Sequence, residues 1–377
     1  MTKKILTLIV VTVLGSFMIS SCSSSLTAAT SWPGVTADAD NEMVYLSAGS
    51  QVFAISTKDG DEVWSYPGAS ENSGGLFGGL FGEPDPTRGA TFFAPPALVG
   101  DLVVVGDYKS TVHAFEMEDG DSEWFFQEPK DKFVGQAAFA NDLVFVPSAD
   151  YHIYALDLDG DLEFSIKTEK SNWAGVVTDG ETVYAPSMDH NVYAFAASNG
   201  DEVWTTDTEG AIAASPVLED GILYIATLNK EALAIDTTDG SILWRTNVED
   251  FTWAAPTVID DVVVVVNASG GVFVINKTEG TIEWDADIKG EVTAAAVPVD
   301  GGFIVASHEM EITVFDLAEQ TKKRTFDINL DSETGTTPST PVVVGDLILI
   351  PVAQSTDALL VAFDIEGVQQ WEFYPED

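Results

Sequence analysis

The sequence predicts an all-β protein, an eight-bladed β-propeller made of four-stranded antiparallel blades. Three observations lead to this prediction. A phrase of ten or eleven residues occurs eight times, its copies are forty residues apart over most of the chain, and β-branched runs with short turns precede each copy. A single four-stranded unit of this size cannot bury both of its faces, whereas a closed ring of such units buries them between neighbours.

The repeated phrase joins an alternating strand, an Asp-Gly type of turn and a second strand that carries a large aromatic residue. The turn glycine permits a positive φ, which a tight corner between two strands requires. The copies are AISTKDGDEVW (54–64), AFEMEDGDSEW (114–124), ALDLDGDLEF (155–164), AFAASNGDEVW (194–204), AIDTTDGSILW (234–244), VINKTEGTIEW (274–284), VFDLAEQTKKR (314–324) and AFDIEGVQQW (362–371).

Segments upstream of the phrase complete the four-stranded unit. The run 260–284 reads as three strands joined by tight glycine-containing turns. Before it, TWAAPTV at 252–258 supplies a further strand rich in alanine and proline. Small residues suit a crowded central axis, and proline is tolerated on an edge strand. The predicted propeller covers 32–377.

The recurring tryptophans have a structural interpretation. Because they occur in nearly every copy, we expect them to pack between adjacent blades and not to form a single ligand cage. They are Trp64, Trp124, Trp204, Trp244, Trp284 and Trp371, with Phe164 and Arg324 at the same place in the third and seventh copies.

The phrase resembles the pyrroloquinoline-quinone (PQQ) repeat, whose signature is Ala-x-Asp-x-x-Thr-Gly-x-x-x-Trp. Ala234, Asp236, Gly240 and Trp244 carry the match, and Asp239 stands at the signature threonine. The resemblance extends over nearly all of the predicted propeller. It implies either a PQQ-dependent dehydrogenase or a non-catalytic binding propeller, such as the propeller lipoprotein subunit of the outer-membrane β-barrel assembly machinery.

Two departures favour the non-catalytic class. Many dehydrogenases of this family have adjacent cysteines beside the cofactor and long insertions around it, whereas this chain has one cysteine, Cys22, and no such insertion. The resemblance therefore implies a scaffold that binds other envelope proteins, in outer-membrane protein assembly, as a monomer within a larger complex. No cofactor is expected; the alternative is a dehydrogenase or binding protein that uses PQQ, with calcium.

The N-terminus has the layout of a secretory signal. An apolar run at 5–18 follows two lysines and precedes Ile-Ser-Ser-Cys at 19–22, which resembles the lipobox of bacterial lipoproteins. We expect a signal peptide at 1–21, lipidation of Cys22 with palmitate-type acyl chains, and a flexible tether at 22–31. The propeller would then lie outside the cytoplasm, on the periplasmic face of an outer membrane or, in a host with one membrane, on the cell surface.

The charge balance is strongly acidic. Sixteen Lys and Arg stand against 61 Asp and Glu, which gives a formal net charge of −45. Because affinity for nucleic acid comes largely from cationic side chains that displace counterions, this balance excludes DNA and RNA as partners. We interpret it as a solvated acidic surface, with a specific cation or a basic partner as the alternative.

One interval departs from the period. Sixty residues separate Trp64 from Trp124, and the excess is a glycine-rich loop at 68–89. Its apolar side chains either contact a partner or fold back and cap the end of the propeller. They are Leu76, Phe77, Leu80 and Phe81.

Four aromatic residues share one column of the forty-residue register, on the predicted innermost strands: Phe93, Phe133, Trp173 and Trp253. They either stack a flat cofactor in the central channel or plug that channel. The histidines His113, His152, His190 and His308 lie in different blades, and we interpret them as surface or turn residues.

One acidic run has some of the features of a cation site. Asp157, Asp159 and Asp161 in DLDGDLE would suit a hard cation such as calcium, but the order of a calcium-binding loop is absent. Since the Asp-Gly pair lies at the ordinary corner of the repeat, we interpret the run as a turn and expect no metal.

Overall fold

The structure is a computed structural model that describes residues 33–67, 89–330, 335–355 and 358–375. Within these ranges all regular secondary structure is β, and 32 strands form eight sheets of four. Each sheet consists of four consecutive strands paired antiparallel. The prediction of an eight-bladed propeller is therefore confirmed.

The blades follow one another in chain order. Blade 1 is β1 (Gly34–Asp38), β2 (Met43–Ala48), β3 (Gln51–Ser56), β4 (Glu62–Tyr66); blade 2 is β5 (Ala97–Val99), β6 (Leu102–Gly106), β7 (Val112–Glu116), β8 (Ser122–Phe126); blade 3 is β9 (Ala138–Ala140), β10 (Leu143–Pro147), β11 (His152–Leu156), β12 (Leu162–Lys167); blade 4 is β13 (Val177–Thr178), β14 (Thr182–Pro186), β15 (Asn191–Ala196), β16 (Glu202–Asp207). Blade 5 is β17 (Val217–Glu219), β18 (Ile222–Ala226), β19 (Glu231–Asp236), β20 (Ile242–Asn247); blade 6 is β21 (Thr257–Ile259), β22 (Val262–Val266), β23 (Gly271–Asn276), β24 (Ile282–Asp287); blade 7 is β25 (Val297–Val299), β26 (Gly302–Ser307), β27 (Glu311–Asp316), β28 (Thr321–Asp327); blade 8 is β29 (Val342–Val344), β30 (Leu347–Pro351), β31 (Leu360–Asp364), β32 (Gln369–Phe373).

The burial of each strand follows from its place in the blade. First strands of neighbouring blades contact one another around the axis, for example β17 with β13 and β21. The second and third strands are covered on both faces by neighbouring blades, which is why β22 is an unbroken run of valines. Fourth strands alternate exposed and covered residues, as in EVWTTD of β16, because they lie at the rim.

Small residues before the first strands are required by crowding near the axis. A Cβ atom on Gly135 would lie 2.2 Å from the carbonyl oxygen of Ala174 in the next blade. A Cβ atom on Gly34 would lie 2.4 Å from the backbone nitrogen of Pro95. Neither position has room for a side chain, which explains the glycine, alanine and proline of these segments.

The recurring tryptophans lie between adjacent blades. Trp204 of blade 4 packs on Gly240, the corner glycine of blade 5, and its Nε1 donates to the carbonyl oxygen of Thr237 at 2.8 Å. The corner glycine has a φ of +74°, and a Cβ atom there would lie 2.7 Å from the indole. The same bond to the next corner is made by Trp64 to Met117, Trp124 to Leu158, Trp244 to Lys277 and Trp371 to Thr57.

Other residues take over where the phrase departs from its pattern. Phe164 packs on the corner glycine of blade 4, Gly200, without an N–H to donate. In blade 7, where Arg324 replaces the tryptophan, Phe326 covers the corner glycine of blade 8. Trp284 has no corner glycine to cover and packs on the rings of blade 7, Phe303 and Phe315, at 6.2 and 6.0 Å.

Blades 8 and 1 meet in what we call the closing seam. All four described strands of blade 1 come from the N-terminal part of the chain, and all four of blade 8 come from the C-terminal part. Neither sheet therefore contains a strand from the other end of the chain. The seam is held by contact between β29 and β1, by the ring pair Phe53–Phe373 at 5.2 Å, and by Trp371 on Gly60. Within the described residues, side-chain packing and the hydrogen bond from Trp371 to Thr57 therefore hold this junction.

One histidine differs from the expectation of surface or turn positions. His113 on β7 is fully buried, and its Nε2 lies 3.1 Å from Oδ2 of Asp107, which is also fully buried. Oδ1 of Asp107 accepts the backbone N–H groups of Lys109 and Thr111 at 2.8 and 2.9 Å. The pair is thus an internal brace of the turn between β6 and β7.

Candidate functional site

The propeller has two end faces, which differ in what they present. The upper face carries the turns between the second and third strands of each blade, together with the segments that lead into the first strands. The lower face carries the turns between first and second strands and the corner turns of the repeat. The lead-in segments are 89–96, 127–137, 168–176, 208–216, 248–256, 288–296 and, where described, 328–330 with 335–341.

The predicted channel aromatics lie on the upper face and not on the innermost strands. Phe93, Trp173 and Trp253 are half-buried residues of lead-in segments, four residues before the first strand of their blade begins. The expectation of strand positions is therefore corrected. Between each of these aromatic residues and the first strand lie small residues, which occupy the crowded approach to the axis.

Phe133 occupies a different position of the repeat from the other three. Its N–H donates to the carbonyl oxygen of Asp107 at 2.9 Å. One blade later, the N–H of Asn172 donates to the equivalent carbonyl, that of Ser148, so Phe133 is equivalent to Asn172 and not to Trp173. Phe133 follows Trp124 by nine positions, whereas Asn172 follows Phe164 by eight, so one additional residue before Phe133 shifts the register. Phe133 is fully buried as a result.

Aromatic rings and one lysine form a continuous cluster across blades 2 to 4. Phe93 stacks on Tyr108 with ring centroids 4.3 Å apart. Nζ of Lys132 lies 4.3 Å from the centroid of Tyr108 and 5.9 Å from that of Trp173. A cation over these ring faces is attracted by their quadrupoles. We call these four residues the aromatic cluster.

The aromatic cluster offers both exposed area and an unused hydrogen-bond donor. Tyr108 is 40% exposed, and Tyr151 on the next turn is 45% exposed. Nε1 of Trp173 is buried and has no hydrogen-bond partner among the described residues. Further round the face, Trp253 contacts Phe251, which is 39% exposed, edge to face at 6.3 Å. Such amphipathic rings are suited to binding a macromolecule.

Two aspartates hold the frame around the cluster. Oδ2 of Asp150 accepts the Tyr154 hydroxyl at 2.7 Å and the N–H of Lys130 at 3.0 Å, which ties the lead-in segment of blade 3 to its turn. Burial opposes the ionisation of Asp150, but these hydrogen bonds outweigh it and hold its pKa below the usual value. Burial and the bond to Asp150 raise the pKa of Tyr154. Ordered turns keep the exposed rings in place.

Blade 4 repeats this arrangement with Asp189. Its Oδ2 accepts the Tyr193 hydroxyl at 2.8 Å and the N–H of Glu169 at 2.9 Å. Burial opposes ionisation here too, yet the hydrogen bonds, led by that of Tyr193, lower the pKa of Asp189. Burial and the bond to Asp189 raise the pKa of Tyr193 to about 12.

The lowered pKa of Asp189 predicts how the stability of the protein depends on pH. Because the folded protein holds the pKa of Asp189 below the unfolded value of 3.8, the stabilisation is fully present above that value and is lost as the pH falls through the folded pKa. We therefore expect Asp189→Asn to lower the free energy of unfolding at pH 7 and the difference from the wild type to shrink below pH 3.8. Urea unfolding between neutral and acidic pH measures this. The exposed Glu202→Gln is the control, and an equal pH trend in both variants would contradict the assignment.

The acidic run at the corner of blade 3 forms hydrogen bonds within the turn in which it lies. Oδ1 of Asp157 accepts the N–H groups of Asp159 and Asp161 at 3.0 and 2.8 Å. The corner glycine that follows Asp159 lies under Trp124. Among the described residues, no group of three or more His, Cys, Asp or Glu is arranged to hold a metal ion.

Several predicted residues lie outside the part of the chain that the structure describes. These are the lipidation site Cys22 and the apolar residues of the inserted loop, Leu76, Phe77, Leu80 and Phe81. Sequence reasoning in turn missed Tyr108 and Lys132. The sequence contains a signal for Tyr108, since another aromatic residue, Tyr151, lies in the corresponding turn of blade 3. It contains no signal for the contact of Lys132 with two blades.

Comparison with known proteins agrees with the fold. The sequence profile of the family described as outer membrane protein assembly factor BamB matches residues 83–191 and 188–319. The crystal structure of BamB from Moraxella catarrhalis is similar with a TM-score of 0.68 and 16% identity, over 91% of this chain and 99% of that chain. The computationally designed Ika8 protein is similar with a TM-score of 0.71 and 15% identity, over 90% of this chain and 98% of that chain.

No curated protein matches the chain closely enough in sequence to count as a relative. Within the described residues there is no helix of the length and apolar character needed to cross a bilayer.

Proposed function

The chain belongs to the family described as outer membrane protein assembly factor BamB, and from this premise we propose that it is a non-catalytic, protein-binding scaffold of the cell envelope. In this proposal it acts in outer-membrane protein assembly, as one subunit of a larger complex. Acyl chains on Cys22 would hold it on the periplasmic face of an outer membrane.

The aromatic cluster is the observation that carries the proposal. Tyrosine, tryptophan and arginine dominate the residues whose truncation weakens protein interfaces most. Tyr108 presents such a ring on a turn that Asp107 holds in place, and Tyr151 on a turn that Asp150 holds in place. A formal net charge of −45 favours a partner whose facing surface is basic.

Substitution of the exposed rings tests the docking surface. We expect Tyr108→Ser with Tyr151→Asn to weaken capture of the envelope partner by at least about thirtyfold, since one buried interface tyrosine already contributes about 2 kcal/mol. Asparagine is chosen at 151 because the backbone φ of Tyr151 is +76°, which asparagine tolerates. Crosslinking in native membranes with quantitative mass spectrometry measures the capture.

The matched control removes exposed apolar residues elsewhere. Val203→Ser with Leu243→Ser changes two residues that are 51% and 49% exposed on the outer strands β16 and β20. Unchanged capture by the upper-face variant, or an equal loss in the control, would contradict this docking surface. Turnover of an alcohol with dye reduction after incubation with PQQ and calcium would contradict the non-catalytic assignment.

A further inference from the structure

An open groove lies on the lower face between blades 1 and 2. Its volume is about 740 Å³, within the range of ligand-binding sites. Met43 of blade 1 and Met117 of blade 2 provide apolar lining. Glu116, Glu123 and Asp101 of blade 2 provide carboxylates, and no lysine or arginine is found among the described residues that line it.

The carboxylates of the groove repel one another. A hydrogen bond with Glu123, followed by the charges of Asp119, Glu123 and Asp121, raises the pKa of Glu116. A neighbouring cation would relieve this repulsion. None of the described residues that line the groove provides one.

One tyrosine of the groove has no hydrogen-bond partner among the residues that the structure describes. Tyr45 is 2% exposed, lines the groove, and forms no hydrogen bond with another described residue. Tyr184 has the same place in blade 4, since each tyrosine pairs with the repeat alanine of its third strand. There the hydroxyl donates to Asp179 at 2.8 Å. Burial, followed by the charge of Asp38, raises the pKa of Tyr45, so its hydroxyl stays protonated.

The equivalent junction of blades 5 and 6 contains a lysine of this chain. Tyr224 has the place of Tyr45, and Lys277 follows the third strand of blade 6 as Met117 follows that of blade 2. Nζ of Lys277 lies 2.7 Å from the carboxylate of Glu219. Burial raises the pKa of Tyr224, and the charge of Lys277 opposes that rise. The hydroxyl of Tyr224 is buried and has no hydrogen-bond partner among the described residues.

We propose that the groove between blades 1 and 2 binds a lysine side chain from a basic segment of a partner protein. At the equivalent junction of blades 5 and 6 a lysine ammonium pairs with a carboxylate of the first strand of blade 5, so a lysine is compatible with this type of junction. Met43 and Met117 would pack against the aliphatic stem, and Glu116 and Glu123 would pair with the ammonium. The groove is on the opposite face from the aromatic cluster. Failure of the lysine-binding proposal would therefore leave the proposed docking surface on the upper face unaffected.

Calorimetric titration of the full-length protein tests the ligand. The probe is the acetylated and amidated peptide Gly-Lys-Gly-Lys-Gly at about 150 mM salt, where long-range attraction to the acidic surface is screened. We expect saturable binding, and at least about tenfold weaker binding of the same peptide with both lysines acetylated. Absence of binding, or equal affinity for both peptides, would overturn the proposal.

Two variants test the location. Glu116→Gln with Glu123→Gln should weaken binding at least about tenfold, while Glu163→Gln with Glu202→Gln, on the outer strands of blades 3 and 4, should leave it unchanged. Met117→Lys should imitate the junction of blades 5 and 6, abolish peptide binding and raise the thermal midpoint. An equal loss in the control pair, or unchanged binding by Met117→Lys, would assign the effect to the general acidity of the surface and overturn the proposal.

Discussion

Asp107→Ala is expected to lower the free energy of unfolding by about 3–5 kcal/mol, because it leaves the buried His113 and two turn N–H groups without their acceptor, at about 1–3 kcal/mol for each group. Without Asp107, His113 remains fully buried in blade 2 beside the empty space of the carboxylate. The N–H groups of Lys109 and Thr111 also lose their acceptor. Urea or guanidinium unfolding of the two proteins measures the difference.

Asp107→Asn separates the charge from the hydrogen bonds. Its side-chain oxygen still accepts the turn N–H groups, as Asn267 does at the same place in blade 6, where Oδ1 accepts the N–H of Gly271 at 2.7 Å. We therefore expect Asp107→Asn to destabilise the protein less than Asp107→Ala. Equal losses from both variants, or a loss below about 1 kcal/mol from alanine, would contradict the role of the buried pair.

Trp371→Ala is expected to open the closing seam and to cost about 3 kcal/mol, the lower end of the range for truncating a core tryptophan, since Trp371 is partly buried. The substitution removes the ring that covers Gly60 and the bond from Nε1 to the carbonyl oxygen of Thr57 at 3.1 Å. Among the described strands none is shared between blades 8 and 1, so we expect the junction to depend on such contacts. Denaturant unfolding with hydrogen–deuterium exchange measures the loss and its location.

Trp204→Ala is the matched control. It removes the same kind of contact between blades 4 and 5, which the chain itself connects through the lead-in segment at 208–216. We expect its faster exchange to be confined to those two blades. With Trp371→Ala, faster exchange should appear in both terminal blades, and exchange restricted to blade 8 would contradict a seam closed by side-chain packing.

The sequence by itself determined the number of blades, their order and the contacts that repeat in each of them. A tight corner needs a glycine such as Gly240, and a tryptophan such as Trp204 needs a flat surface in the next blade. Both needs are local to one repeat and its neighbour, so a fixed spacing in the chain is enough to express them.

Only the tertiary structure decided which departures from the period matter. One additional residue before Phe133 moved it from a half-exposed column into the core, and Phe326 assumed the role that the pattern assigns to position 324. The pairing of Asp107 with His113 and the groove beside Tyr45 were not apparent from the spacing either. These features depend on side chains from different strands or blades that meet in space, and a repeat pattern records the spacing of residues along the chain but not which of them face one another.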